Sequence, residues 1–93
     1  MRLVYSREAL DDLVRLRAFI AENDPGAAAR VAQALIERIA QLSRFPQLGV
    51  AVEQAKPPAD IRDMVFGNYV VRYSVHEQAL AILRVWHHCE ARK

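Results

Sequence analysis

Arg84, Trp86, His87 and His88 fall within five positions near the end of the chain. They form the densest cluster of reactive side chains in the sequence. A histidine beside arginines has the parts for general acid–base cleavage of a phosphodiester, with arginine answering the charge on the transferring phosphate. RNA would bring its own nucleophile, the 2′-hydroxyl, so no protein nucleophile is needed. Read structurally, the same residues are the end of a strand, with Trp86 packing at the edge of a core. His87 and His88 are adjacent, so on a strand they point to opposite faces and cannot hold one ion together. Cys89 is the only cysteine, and no metal centre or cofactor is expected.

The cluster ends the second of two runs rich in β-branched and aromatic residues. Tyr69–Val75 and Leu80–Trp86 flank the polar His76-Glu77-Gln78, which reads as a hairpin. Tyr69, Val71, Tyr73 and Val75 form one apolar set, and Ala81, Leu83 and Val85 form another. A three-residue loop pairs odd positions with odd and buries both sets together. Arg72, Arg84 and Trp86 then share the opposite, open face, with His88 in matching parity, and the preceding run Ile61–Phe66 adds Arg62. A loop of two or four residues would instead pair odd with even and separate Arg72 from Arg84. Clustered arginines call for anions: phosphates or carboxylates of a partner, or local acids such as Asp60, Asp63, Glu77 and Glu90.

The elements that must carry this sheet come earlier. Arg2–Tyr5 has strand character. Ser6 is a good N-cap, and Ala9, Leu13, Leu16 and Ile20 then recur at helical spacing up to Glu22. Asp11, Asp12, Arg15 and Arg17 sit mostly off that stripe, and Asp11 and Arg15 have the spacing of a surface pair. Asp24 and Pro25 punctuate a second helix, running to about Arg44, with Ala28, Val31, Ala32, Leu35, Ile39 and Leu42 on its stripe. The short link predicts an antiparallel helical hairpin. Phe45-Pro46-Gln47-Leu48-Gly49 ends that helix, residues 50–60 read as an irregular loop, and Gly67-Asn68 turns the chain into Tyr69. The expected fold class is α+β, in the order β-α-α-β-β-β, with the hairpin covering one face of a small, mostly antiparallel sheet.

Ninety-three residues make a single domain over 1–93, and 53% hydrophobic with 26% charged residues predicts a packed globule. Thirteen basic against eleven acidic residues leave a net charge of +2, too mild to argue for nucleic acid by itself. The basic residues are nearly all arginine, which suits bidentate pairing with carboxylates or phosphates. No stretch is long enough to span a bilayer, and MRLVYSREALDD has no apolar run of signal-peptide length. A cytoplasmic protein with no membrane partner is expected.

Four strings in order, VYSREALDDLVRLRAFIAENDPGAAARV, LSRFPQLG, IRDMVFGNYVVRY and AILRVWHHCEAR, resemble the RelE/ParE superfamily of toxins from bacterial type II toxin–antitoxin pairs. The resemblance covers nearly the whole chain. It implies the β-α-α-β-β-β fold and a cognate antitoxin that wraps the toxin, with a heterotetramer as one assembly it allows. RelE-like members cut mRNA on the ribosome, using basic residues of the open sheet and acid–base groups near the C-terminus. ParE-like members inhibit DNA gyrase. The chain departs from the RelE pattern at Val70, where that group carries an arginine, in its few mid-chain lysines, and in lacking a tyrosine after the last strand. The long helical hairpin and the ILRVWH ending look ParE-like. The resemblance therefore implies a growth-inhibiting, plasmid-stabilising toxin acting on a host target such as gyrase, and Arg62, Arg72, Arg84 and Trp86 of the open face are expected to bind that target or the antitoxin. The alternatives are a ribosome-dependent mRNA endonuclease using His87, His88 and Arg92, and an antitoxin-binding member without toxicity.

Overall fold

The chain leaves its first strand, β1 (Arg2–Tyr5), straight into a helix, because Ser6 caps it: the Ser6 hydroxyl accepts from the Ala9 N–H. The computed structural model describes residues 1–52 and 60–88. Helix α1 spans Arg7–Ala21, and α2 spans Pro25–Gln41, with Asp24 accepting from Ala27 N–H and proline in the first turn. Both caps are those expected. Each helix ends earlier than its periodicity suggests, and 3₁₀-like bonds such as Leu42 N–H to the Ile39 carbonyl tighten the exit of α2.

Three further strands were expected, and the described residues contain four: β2 (Val50–Ala51), β3 (Ile61–Phe66), β4 (Tyr69–Val75) and β5 (Ala79–His87). The sheet order is β1-β5-β4-β3-β2, antiparallel throughout except that β1 runs parallel to β5. The helical hairpin thus carries the chain from one edge of the sheet to the other. Val50–Ala51 belongs to β2, not to an irregular loop, because Val50 and Ala51 pair with Asp63 and Arg62. Lys56 and the Pro57-Pro58 pair lie outside the described residues.

The core lies between helices and sheet: Ala9 and Leu16 from α1, Leu35 and Ile39 from α2, Met64 from β3, Val71 and Tyr73 from β4, and Leu80, Ile82 and Val85 from β5. The apolar set expected on β4 is the buried one. On β5 it is not Ala81, Leu83 and Val85. The loop end pairs odd with even, Val75 with Leu80 and Tyr73 with Ile82, and a bulge between Arg72 and Tyr73 then shifts the register. Beyond it Arg72 faces Arg84 and Val71 faces Val85. One extra residue, Leu83, therefore switches the buried side of β5 from even to odd positions, as a one-residue slip must.

Tyr73 ties this core to the loop after α2. Its hydroxyl donates to the Pro46 carbonyl at 2.7 Å and accepts from the buried Gly49 N–H at 2.8 Å. Burial raises the pKa of this phenol, which keeps it protonated as the bridge requires. A Cβ at Gly49 would stand 2.7 Å from that oxygen and 2.9 Å from the Asp63 carbonyl, so only glycine fits. Tyr73→Phe would leave the Gly49 N–H without its partner, and Gly49→Ala would force the loop away. Each is expected to lower unfolding free energy by about 1–3 kcal/mol in urea titrations. A loss below about 0.5 kcal/mol in both would show that the bridge is dispensable.

Candidate functional site

The open face of the sheet is built across three strands. On β3, Met64 turns inward, so Asp63 and Val65 turn outward, while Arg62 lies opposite the buried Tyr73. Arg62 is therefore on the helix-covered side, where it donates to Asp60 at 3.0 Å and to the Gly49 carbonyl at 2.9 Å. The expectation that it joins Arg72 and Arg84 fails on strand parity.

Arg72, Arg84 and Trp86 do share the open face, although through the bulge at Leu83 and not through a three-residue loop. Like charges on directly paired positions repel, and here each is drawn off by its own carboxylate. Arg72 donates Nε and Nη2 to the two oxygens of Asp63, its cross-strand partner, at 2.8 and 2.9 Å. Its guanidinium also lies 5.3 Å from the centre of the Trp86 ring, within cation–π range. Arg84 donates Nε and Nη2 to the two oxygens of Asp12, at 2.8 and 3.0 Å. These hydrogen-bonded carboxylates hold both arginine pKa values above their ordinary range. Asp60 and Asp63 were among the local acids considered, whereas Asp12 was not.

Asp12 is the residue that the sequence reading misplaced. It is 1% exposed, although with Asp11 it was expected to lie off the apolar stripe. Strand β1 pairs with β5 only as far as Ile82, while β5 continues to His87. Past that point side chains of α1 take over the edge. Ser6 donates to the Leu83 carbonyl at 2.9 Å, Asp12 accepts the Val85 N–H at 2.8 Å, and Arg15 donates to the Val85 carbonyl at 3.3 Å. Arg15 also binds Asp12 at 2.6 Å, three residues away, in place of the expected pair with Asp11. A signal was present: position 12 lies three after Ala9 and four before Leu16, on the buried stripe itself.

The two histidines part as their adjacency requires. His87 packs on the helix side, its ring 5.0 Å from Tyr69 edge-on and 5.7 Å from Phe19. His88 is exposed beyond the strand, its N–H donated to the Asn68 carbonyl at 2.6 Å. Arg92, Cys89 and Glu90 lie outside the described residues. Among the described residues no group of three or more metal-ligating side chains gathers. None of their helices is long and apolar enough to cross a membrane.

This fold has counterparts among known proteins. The family model of the ParE toxin of type II toxin–antitoxin systems, parDE, matches residues 3–92. The chain belongs to this family. Toxin RelE1 of Caulobacter vibrioides is 32% identical over 97% of this chain and 96% of its own. In structure, the chain is similar to a chain of the chromosomal ParDE system from P. aeruginosa, with a TM-score of 0.78, 20% identity and coverage of 94% and 95% of the two chains. The RelBE2 toxin–antitoxin complex from Mycobacterium tuberculosis follows, with a TM-score of 0.69, 24% identity and coverage of 92% and 95%. The α+β fold of the RelE/ParE superfamily is thus shared, and with it membership among type II toxins.

The Asp12 contacts give a pH signature. Burial by itself pushes the Asp12 pKa up, but hydrogen bonds from Arg84, the Val85 N–H and Arg15 outweigh it, and the net shift is downward. A depressed folded-state pKa contributes stability that is present above the unfolded value, about 3.9, and is lost as pH falls through the folded one. Unfolding titrations should therefore show stability falling with acid below about pH 4, with that limb reduced in Asp12→Asn. Asp12→Ala should lose about 1–3 kcal/mol at neutral pH, because the buried Val85 N–H loses its acceptor while Arg84 and Arg15, about half exposed, return to water. A loss under about 1 kcal/mol would make the contact an ordinary surface bridge.

Proposed function

We propose that this ParE-family toxin acts by binding a host protein such as DNA gyrase and not by cutting RNA. The observation that carries the reading is the state of the open face. Its two arginines are held in bidentate pairs with Asp63 and Asp12, and His87 is turned to the other side of the sheet. A cation, an acid–base group and an unobstructed phosphate path do not converge there among the described residues. Around the ion pairs the face is apolar, with Val65 71% and Val50 76% exposed and Val70 and Trp86 beside them. Exposed apolar surface with neutralised charges suits a protein partner better than a phosphate backbone.

A second apolar surface lies on the helical side, a groove of about 180 Å³ lined by Leu13, Val14, Ile20, Val31, Ile36 and Tyr69. Two separate apolar surfaces fit a chain that meets two protein partners, a cognate antitoxin and a target. The related systems named ParDE and RelBE support the antitoxin as one of them. The RelE name of the sequence relative keeps mRNA cleavage as the second reading, with His88 and Arg92 as its remaining acid–base and cationic candidates.

Induction without antitoxin separates the two. The expected result is growth arrest with DNA damage and intact mRNA, and inhibition of gyrase supercoiling by purified toxin. Early cleavage of mRNA would overturn the binding reading, and absence of any arrest would point to an antitoxin-binding member without toxicity.

A further inference from the structure

The edge of a sheet exposes unpaired backbone unless something covers it. On one side of this sheet the edge strand, β2, is only two residues long. On the other side the second half of β5 is closed by Ser6 and by Asp12 and Arg15 of α1. The rest of that edge is β1, and no described strand pairs with its outer side. The ladder fixes which of its backbone groups point outward, because in a parallel pair only alternate residues of a strand bond to the neighbour. The Arg2 N–H reaches the Gln78 carbonyl at 3.1 Å and the Ser6 N–H the Ile82 carbonyl at 2.9 Å, so Arg2, Val4 and Ser6 bond to β5. The N–H and C=O groups of Leu3 and Tyr5 therefore face away from the sheet.

These groups match a second copy of the same edge. A two-fold axis through Val4, perpendicular to the sheet, sets Leu3 of one copy against Tyr5 of the other, and each such pair exchanges both backbone bonds. The axis also keeps the two open faces on one side and the two helical hairpins on the other. Leu3 and Tyr5 pack against the core, so Val4 turns to the open face, where it is 37% exposed. There it meets Val4 of the second copy, a β-branched pair at closest approach. Arg2, on the same face, stands opposite Ser6 of the second copy and beside Glu8 in the first turn of that copy's α1. Neither Arg2 nor Glu8 makes a salt bridge among the described residues, so the two charges answer each other on both sides of the axis. A foreign strand would satisfy the same backbone groups, but the Val4 contact and the reciprocal charges belong to a second copy. We infer that β1 is a self-association edge, on which two chains join their five-stranded sheets into one. This does not depend on the binding-toxin reading above.

Sedimentation equilibrium of the purified full chain tests the edge. A reversible dimer is expected, and a strand of 4 residues sets its dissociation constant on the order of 10 μM. Val4→Asp places like charges against each other at the axis and should weaken the dimer by about tenfold or more. Arg2→Glu and Glu8→Arg should each weaken it about fivefold, and the double variant Arg2→Glu/Glu8→Arg should restore it. Both of these residues are exposed, so the charge exchange decides the matter even where Val4→Asp fails to fold. A chain still monomeric at about 500 μM, a dimer indifferent to Val4→Asp, or a double variant no tighter than the single ones would overturn the inference. So would a monomer whose Leu3 and Tyr5 amides gain protection from hydrogen exchange only when the cognate antitoxin is added, which would assign the edge to that partner.

Discussion

A buried carboxylate replaces a strand in this protein, and the arrangement of helices on sheet depends on it. Strand β1 stops pairing at Ile82, which would leave the second half of β5 with open backbone on one edge. Helix α1 lies along that edge, and Asp12 accepts the Val85 N–H that a strand would otherwise have taken. An uncompensated carboxylate out of water would be strongly unfavourable. Here it receives Arg84, Arg15 and a backbone donor together, so nearly all of its acceptor capacity is used. Because the same contact fixes α1 against β5, it also sets where Ala9 and Leu16 enter the core.

The bulge at Leu83 complements this contact. Without the extra residue, β5 would keep Leu80 and Ile82 inward but turn Val85 out and Arg84 in. An arginine facing the core would meet Leu16 and Val71 in place of a carboxylate. With it, Val85 is fully buried and Arg84 reaches Asp12 from the open face. Bulges commonly re-aim a side chain beside a working surface, and this one decides which side of the sheet carries the cation.

The same geometry separates residues that looked like one cluster. Arg84 and Trp86 stay together on the open face, His87 joins Tyr69 and Phe19 on the helical side, and His88 stands exposed beyond the strand. Membership in the ParE toxin family gives this face its biological setting. On the function proposed above, its ion pairs and uncovered valines serve contact with a protein.

Much of the architecture was legible because its signals are local. Ser6 and Asp24 are caps by side-chain chemistry, the stripes of both helices follow a 3.6-residue period, and Tyr69–Val75 alternates cleanly, so these elements stand where the residues indicate. Four strings spread along the chain also carried the family. By contrast, the two-residue β2 has too few positions to show a period and exists only because β3 pairs with it. The inward turn of Arg62 is set by its pairing with Tyr73. The pairing of Arg72 with Arg84 depends on where one surplus residue is absorbed, and the loop alone suggested a different route to it. Asp12 shows the division most plainly. It was expected off the apolar stripe, as its charge suggests, yet its spacing from Ala9 and Leu16 is that of the buried face, and no local rule weighs the two. Tertiary structure decided in favour of burial by bringing Arg84 and the Val85 N–H, more than seventy residues away, within hydrogen-bonding distance of it.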